Sequence, residues 1–122
     1  MNADTTGEDC GPELVDLETV RRLATEVDWT IAELAQFYRA GTERELDGIV
    51  QALADGDADE VRRRAHGAAG ASATCGIDAM SRLLGRIEVA AEEGRLEDLT
   101  DLLAAARQRF QEVLSVLAQE RD

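Results

Sequence analysis

His66 is the only histidine in the 122-residue chain, and its surroundings, VRRRAHGAAGASATC, are unusual for a helix. Imidazole is the side chain that ordinarily changes charge near neutral pH, and its neutral form offers a nitrogen lone pair for general-base or nucleophilic chemistry. On a helical wheel of about 100° per residue, Val61, Ala65, Ala68, Ser72 and Cys75 share one face, and His66 stands roughly 140° from its centre. The residues flanking His66 on the outer face are Asp59, Arg62, Arg63, Ala69, Gly70 and Ala73. The turn after the imidazole is therefore almost bare of side chains, and the turn before it carries two guanidinium groups. Glycine inside an exposed helix costs about 1 kcal/mol relative to alanine, so helix stability does not account for Gly67 and Gly70. A strip of this kind lets a flat partner surface approach the ring, and Arg62 and Arg63 are placed to neutralise an anion such as a phosphoryl group.

Other chemistries lack their parts. Ser72 falls on the inward face, and nothing else supplies a hydrolase triad with an oxyanion hole. Neither GxxxxGK[ST] nor GxGxxG occurs, so no nucleotide loop is expected. The acids at Asp55, Asp57 and Asp59 lack the spacing and closing glutamate of a calcium loop. With Cys10, Cys75 and His66 as the only soft ligands, a structural zinc site, which takes about four, is not expected. No metal site is expected on the chain at all. Cys75 reads as a small filler near a helix end.

Five amphipathic stretches must position the histidine. Leu14 to Val27 forms a short one, with Leu17, Val20, Leu23, Ala24 and Val27 on one side. The second begins near Asp28 or Thr30, where Thr30 and Glu33 have capping-box spacing. Its apolar stripe comprises Ile31, Leu34, Phe37, Tyr38, Leu46, Ile49, Val50 and Leu53, and Gly41–Glu45 interrupts the pattern, leaving room for a kink or local irregularity there. The third starts at a second capping box, Asp57 with Glu60, carries His66 and stops by Gly76. The fourth has its seam at Ile77, Met80, Leu84, Ile87 and Ala91 and ends at Gly94. The fifth runs from about Leu96 to Gln119, with Leu99, Leu103, Ala106, Phe110, Val113 and Leu117 inward. Spacings of three and four fit buried helical seams, and short connections place neighbouring helices antiparallel. The expected fold is all-α, an antiparallel up-down four-helix bundle with an extra N-terminal cap helix. Residues 1–12 read as a flexible leader and 13–122 as one domain.

The net charge is −13, with all thirteen basic residues arginine. Residues 1–60 carry net −12 and residues 61–122 net −1, while 61–95 alone carry net +2. The balance argues against nucleic acid and anionic membranes, yet the histidine lies in the one locally basic segment. No apolar run approaches the roughly 18 residues of a membrane span, and a cytoplasmic monomer is expected.

The stretch AHGAAGASATCGIDAMSRLLGRIE resembles the signature of histidine-containing phosphotransfer (HPt) domains, A-H-x-L-K-G-x-[AS]-x-x-x-G, with Ala65, His66, Gly70, Ser72 and Gly76 in register and Leu84 and Glu88 fitting the pattern that follows. LVDLETVRRLATEV resembles the family's leading helix, and ELAQFYRAGTERELDGIVQALADGDADEVRRRAH its approach to the histidine, so the likeness covers about residues 14–118. It implies that His66 is a phosphoacceptor in a phosphorelay of bacterial two-component signalling, kept accessible by Gly70. It also implies a phosphocarrier without an ATP site or cofactor of its own. The partners implied are response-regulator receiver domains, which bring Mg²⁺, and a hybrid histidine kinase. The family's usual lysine three residues after the histidine is Ala69 here, and its usual leucine is Ala68. That lysine commonly helps to hold the phosphoryl group. Arg62 or Arg63 is the expected substitute, with Arg82 and Arg86 more distant candidates. The alternatives are a receiver-binding adaptor that does not transfer phosphate and a purely structural bundle.

Overall fold

Residues 14–120 are described by a computed structural model of the chain. They form five helices and no strand: α1 (Leu17–Glu26), α2 (Ile31–Ala54), α3 (Ala58–Thr74), α4 (Asp78–Glu92) and α5 (Leu96–Ala118). The expected leader, 1–12, lies outside the described residues. None of these helices is long and apolar enough to cross a membrane.

Local chemistry sets most helix starts. The Asp16 carboxylate accepts from the Thr19 N–H and hydroxyl, and these bonds hold its pKa below the ordinary aspartate value. Thr30 and Glu33 complete the expected capping box, with bonds of 3.0 and 2.9 Å. Asp57 caps α3 by accepting from the Glu60 N–H at 3.1 Å. The reciprocal half of the expected second box does not form, because the Glu60 carboxylate is taken by Arg63 and Arg64.

Helix α1 begins later than the amphipathic pattern. Leu14 and Val15 are buried ahead of it, and Val27 beyond its end is exposed. The chain enters over the α3–α4 turn, where the Asp16 N–H donates to the Gly76 carbonyl at 2.7 Å. Gly76 has φ +78°, and a Cβ there would lie 2.8 Å from the Thr19 Cβ. Glycine is required twice over at that position, once by its left-handed backbone and once by the close approach of α1.

Helix α2 packs on α3 and α5, α3 on α4, and α4 on α5, while α1 lies against α2. The seams read from sequence for α4 and α5 are all buried, as are Val61, Ala65, Ala68 and Ser72 of α3. Three expectations for α2 fail. It runs unbroken through Gly41–Glu45, because the packed seam continues there with Thr42 buried in it. Phe37 and Val50 face outward, since a helix surrounded on two sides by α3 and α5 still presents a third face to solvent. Cys75, at the end of α3, is only half-buried, and that burial raises its thiol pKa.

Candidate functional site

Helix α3 presents His66 at its midpoint, with 73% of the side chain exposed. The ring is anchored on one side only. Its Nδ1 lies 3.0 Å from Oε2 of Glu88, which projects from α4 and is 24% exposed. An ionised carboxylate can only accept, so Nδ1 carries the proton and donates to Glu88. In the neutral ring this leaves the lone pair on Nε2, which makes no hydrogen bond to a described residue. The pair thus fixes both the tautomer and the direction in which the nucleophilic nitrogen points.

The strip beyond the ring is as bare as its composition indicates. Gly70 and Ala73 are exposed and Ala69 is half-buried against the core. A Cβ added at Gly67 or Gly70 would meet nothing within 4 Å. Ser72 is turned inward and shares a 2.7 Å hydrogen bond with the Tyr38 hydroxyl. That bond ties α2 to α3 beneath the strip. Burial raises the Tyr38 pKa, partly offset by the Ser72 bond.

The arginines expected to meet an anion lie on the same helix but are engaged. Arg62 pairs with Asp59 at 3.1 Å. Arg63 pairs with Asp59 at 3.6 Å and with Glu60. Arg64 bridges Glu60 at 2.8 Å and Glu45 of α2 at 3.1 Å. Exposed pairs of this kind contribute about 0–1 kcal/mol, so Arg62 and Arg63 can exchange partners at small cost. Arg82 and Arg86 line a groove between α4 and α5 with Arg95, Asp98, Asp101 and Val89. Among the described residues, no three of His, Cys, Asp and Glu cluster as a metal site, and Glu88 is the one carboxylate bonded to the ring.

Glu88 is the ring's partner in the candidate site, and the sequence motif included it without giving it a task. A signal for it existed. The short connection between α3 and α4 folds them back on each other about Gly76, and His66 and Glu88 stand ten and twelve residues to either side. Residues so nearly symmetric about a tight helix–helix turn come to lie side by side.

Comparison with known proteins gives the class to which this five-helix frame belongs. The family profile described as "Hpt domain" matches residues 33–120. The chain belongs to the Hpt family, the phosphocarriers of two-component phosphorelays. Its fold is similar to the crystal structure of histidine-containing phosphotransfer protein B (HptB) from Pseudomonas aeruginosa PAO1. The TM-score is 0.80 at 22% identity, covering 89% of this chain and 95% of that one. No curated protein sequence matches the chain.

Proposed function

We propose that this chain is a phosphorelay intermediate, accepting a phosphoryl group on Nε2 of His66 from one aspartate-bearing receiver domain and donating it to another. The observation that carries this reading is the orientation of the ring: Nδ1–H is held by Glu88 and Nε2 is open to solvent. In the forward step the Nε2 lone pair attacks phosphorus, forming the N–P bond as the acyl-phosphate P–O bond breaks and the receiver's aspartate leaves as a carboxylate. No proton has to leave Nε2. The positive charge that develops on the ring is balanced by Glu88 through Nδ1–H. Donation is the same step reversed.

In-line transfer depends on positioning and charge neutralisation, ordinarily with Mg²⁺. Glu88 is already bonded to the ring, and in this reading the metal and the acidic pocket would come with the receiver. Arg62 or Arg63 would meet the phosphoryl oxygens after releasing Asp59 or Glu60, and the strip of Ala69, Gly70 and Ala73 would accept the receiver's surface. The ring of α2–α5 is read as an antiparallel up-down bundle with α1 as its cap. The protein is read as a cytoplasmic monomer, with a hybrid histidine kinase at the head of its relay.

Ala69 favours a second reading, a receiver-binding adaptor that carries no phosphate, because the family's usual lysine is missing there. One experiment separates the two. The chain is mixed with phosphorylated receivers and Mg²⁺, and acid-labile, alkali-stable label is sought on it. Labelling of wild type but not of His66→Gln supports the relay. Equal labelling of both removes His66 from the role, and binding without labelling establishes the adaptor.

A further inference from the structure

Arg62 and Arg63 stand midway along α3 between His66 and Asp59. At the rise of an α-helix they lie about 6 and 4.5 Å back from His66, and about 4.5 and 6 Å forward of Asp59. All three charged side chains fall within about 60° of His66 around the helix. In the structure Asp59 holds both arginines. Its Oδ1 accepts from the Arg62 guanidinium at 3.1 and 3.3 Å, and its Oδ2 lies 3.6 Å from Nε of Arg63. The carboxylate bonds to no other described residue.

The tilt of helical side chains favours Asp59 in the unphosphorylated chain. Side chains on an α-helix lean towards its N-terminus, so both guanidinium groups reach back to Asp59 and away from His66. A cation one turn beyond the histidine would lean over it, and positions 69 and 70 hold alanine and glycine. Glu60 also binds Arg63, but it has a separate task. Its Oε2 accepts from Arg64 at 2.8 Å, and Arg64 reaches Glu45 of α2 at 3.1 Å. Gly48 of α2 leaves the space for that guanidinium, since a Cβ there would lie 2.5 Å from its carbon. Glu60 therefore helps to join α3 to α2, whereas the bonds of the Asp59 carboxylate stay within α3.

A phosphoryl group on Nε2 of His66 would enter this balance with about −1.5 to −2 charges and three acceptor oxygens, against the single charge of Asp59. We infer that Asp59 competes with the phosphoryl group for Arg62 and Arg63, and so sets how strongly the phosphorylated chain holds its phosphate. This rests on the relay reading proposed above. The exchange makes and breaks ion pairs only; no covalent bond changes and no proton moves. Asp59 is a positioning residue, acting through the two arginines. It also lies in the first turn of α3, where an acid favours the helix, but that effect has no bearing on where phosphate resides.

The test measures how label divides at equilibrium between a phosphorylated receiver and this chain in the presence of Mg²⁺. Wild type, Asp59→Asn and Asp59→Glu are compared, together with Arg62→Ala/Arg63→Ala carrying either Asp59 or Asp59→Asn. Thermal melting is followed alongside. Asp59→Asn frees two exposed pairs and should move the equilibrium towards this chain by about three- to tenfold. Donation to a second receiver should slow to a similar extent, and both effects should shrink at high salt. Asp59→Glu, which restores the charge at the same spacing, should recover most of the difference. Once both arginines are alanine, Asp59→Asn should change nothing. An unmoved equilibrium in Asp59→Asn, or one moved towards the receiver, overturns the inference. A gain that persists without the arginines also overturns it, by assigning the effect to overall charge. A lower melting temperature with the same division of label does so too, leaving Asp59 as a helix-start residue alone. If wild type takes phosphate from no receiver, the relay reading fails and the inference with it, an outcome distinct from the others.

Discussion

Gly70→Ala separates the needs of the helix from those of the site. Gly70 lies inside α3, is exposed, and has no neighbour within 4 Å of where an alanine methyl would stand. Its backbone does not adopt a positive φ, unlike Gly56, Gly76 and Gly94. The methyl group therefore costs nothing in the folded state, and removing a glycine from a helix interior gains about 1 kcal/mol. In a domain of this size that gain raises the melting midpoint by roughly 4–5 °C. The same methyl would stand one turn beyond His66 on the face the receiver must approach. A displacement of about 1 Å from the reactive geometry can slow a reaction about a hundredfold, so transfer is expected to fall by about ten- to a hundredfold. Circular dichroism melting reads the first effect and single-turnover transfer from a phosphorylated receiver reads the second. A variant that is more stable and transfers as fast as wild type would refute the argument that bareness serves docking. A less stable variant would refute the argument that the methyl has room.

Removing Glu88 tests the ring's anchor: Glu88→Ala should slow transfer roughly tenfold and lose the single Nδ1–H tautomer in ¹⁵N NMR, whereas Glu88→Gln, which still accepts from Nδ1–H, should keep the tautomer. Tyr38→Phe strands the buried Ser72 hydroxyl and should cost about 1–2 kcal/mol in urea unfolding, with Tyr38→Phe/Ser72→Ala recovering most of it. Because burial raises the Tyr38 pKa, its contribution to stability is complete below the unfolded value of 10.0 and is lost as pH rises through the folded value. Unfolded tyrosine ionises first, so Tyr38→Phe should flatten the alkaline limb of stability. Ala69→Lys restores a cation beside the site, its stem lying along the surface that Ala69 now covers. It should lengthen the lifetime of phosphohistidine and shift the transfer equilibrium towards this chain by about three- to tenfold, measured by label distribution at equilibrium.

The helices were legible because burial here follows one dominant period. In α5 the three-four spacing marks every buried residue, in α4 it marks five and passes over Ala79, Leu83 and Ala90, and the capping pair at Thr30 is the one of the two starts offered for α2 that forms. Phe37 and Val50 show where the same reasoning stops. Both sit next to stripe residues, Tyr38 and Ile49, and a long helix packed between two others has an apolar sector too narrow for both members of each pair. Sequence pattern ranks residues by polarity, and which neighbour turns inward is decided by the packing of α3 and α5. The half-made box at Asp57 fails for a related reason. Arg63 and Arg64 compete for Glu60 with a charge that the backbone N–H lacks. The exposure of His66 was legible because it depends on one helix alone. Its bond to Glu88 depends on two, and only the near-symmetry of the pair about Gly76 hinted at it.

The charges around His66 bear on why a carrier would be built with its own cations engaged. A free lysine or arginine at the phosphoryl group would hold the phosphorylated form, and the tighter that hold, the less readily a second receiver could take the phosphate. In this chain Asp59 and Glu60 occupy Arg62 and Arg63, position 69 is alanine, and the side chain bonded to the ring is itself an anion. Under the proposed relay function, neutralisation of the transferring group would be left chiefly to the receiver's metal and pocket, present only while the two proteins are docked. On this reading the resting phosphohistidine is oriented but weakly held, and the barrier falls when a receiver seats. The chain's contribution is geometric: a lone pair aimed outward, a surface cleared of side chains, and a carboxylate that balances the imidazolium without competing for the phosphorus.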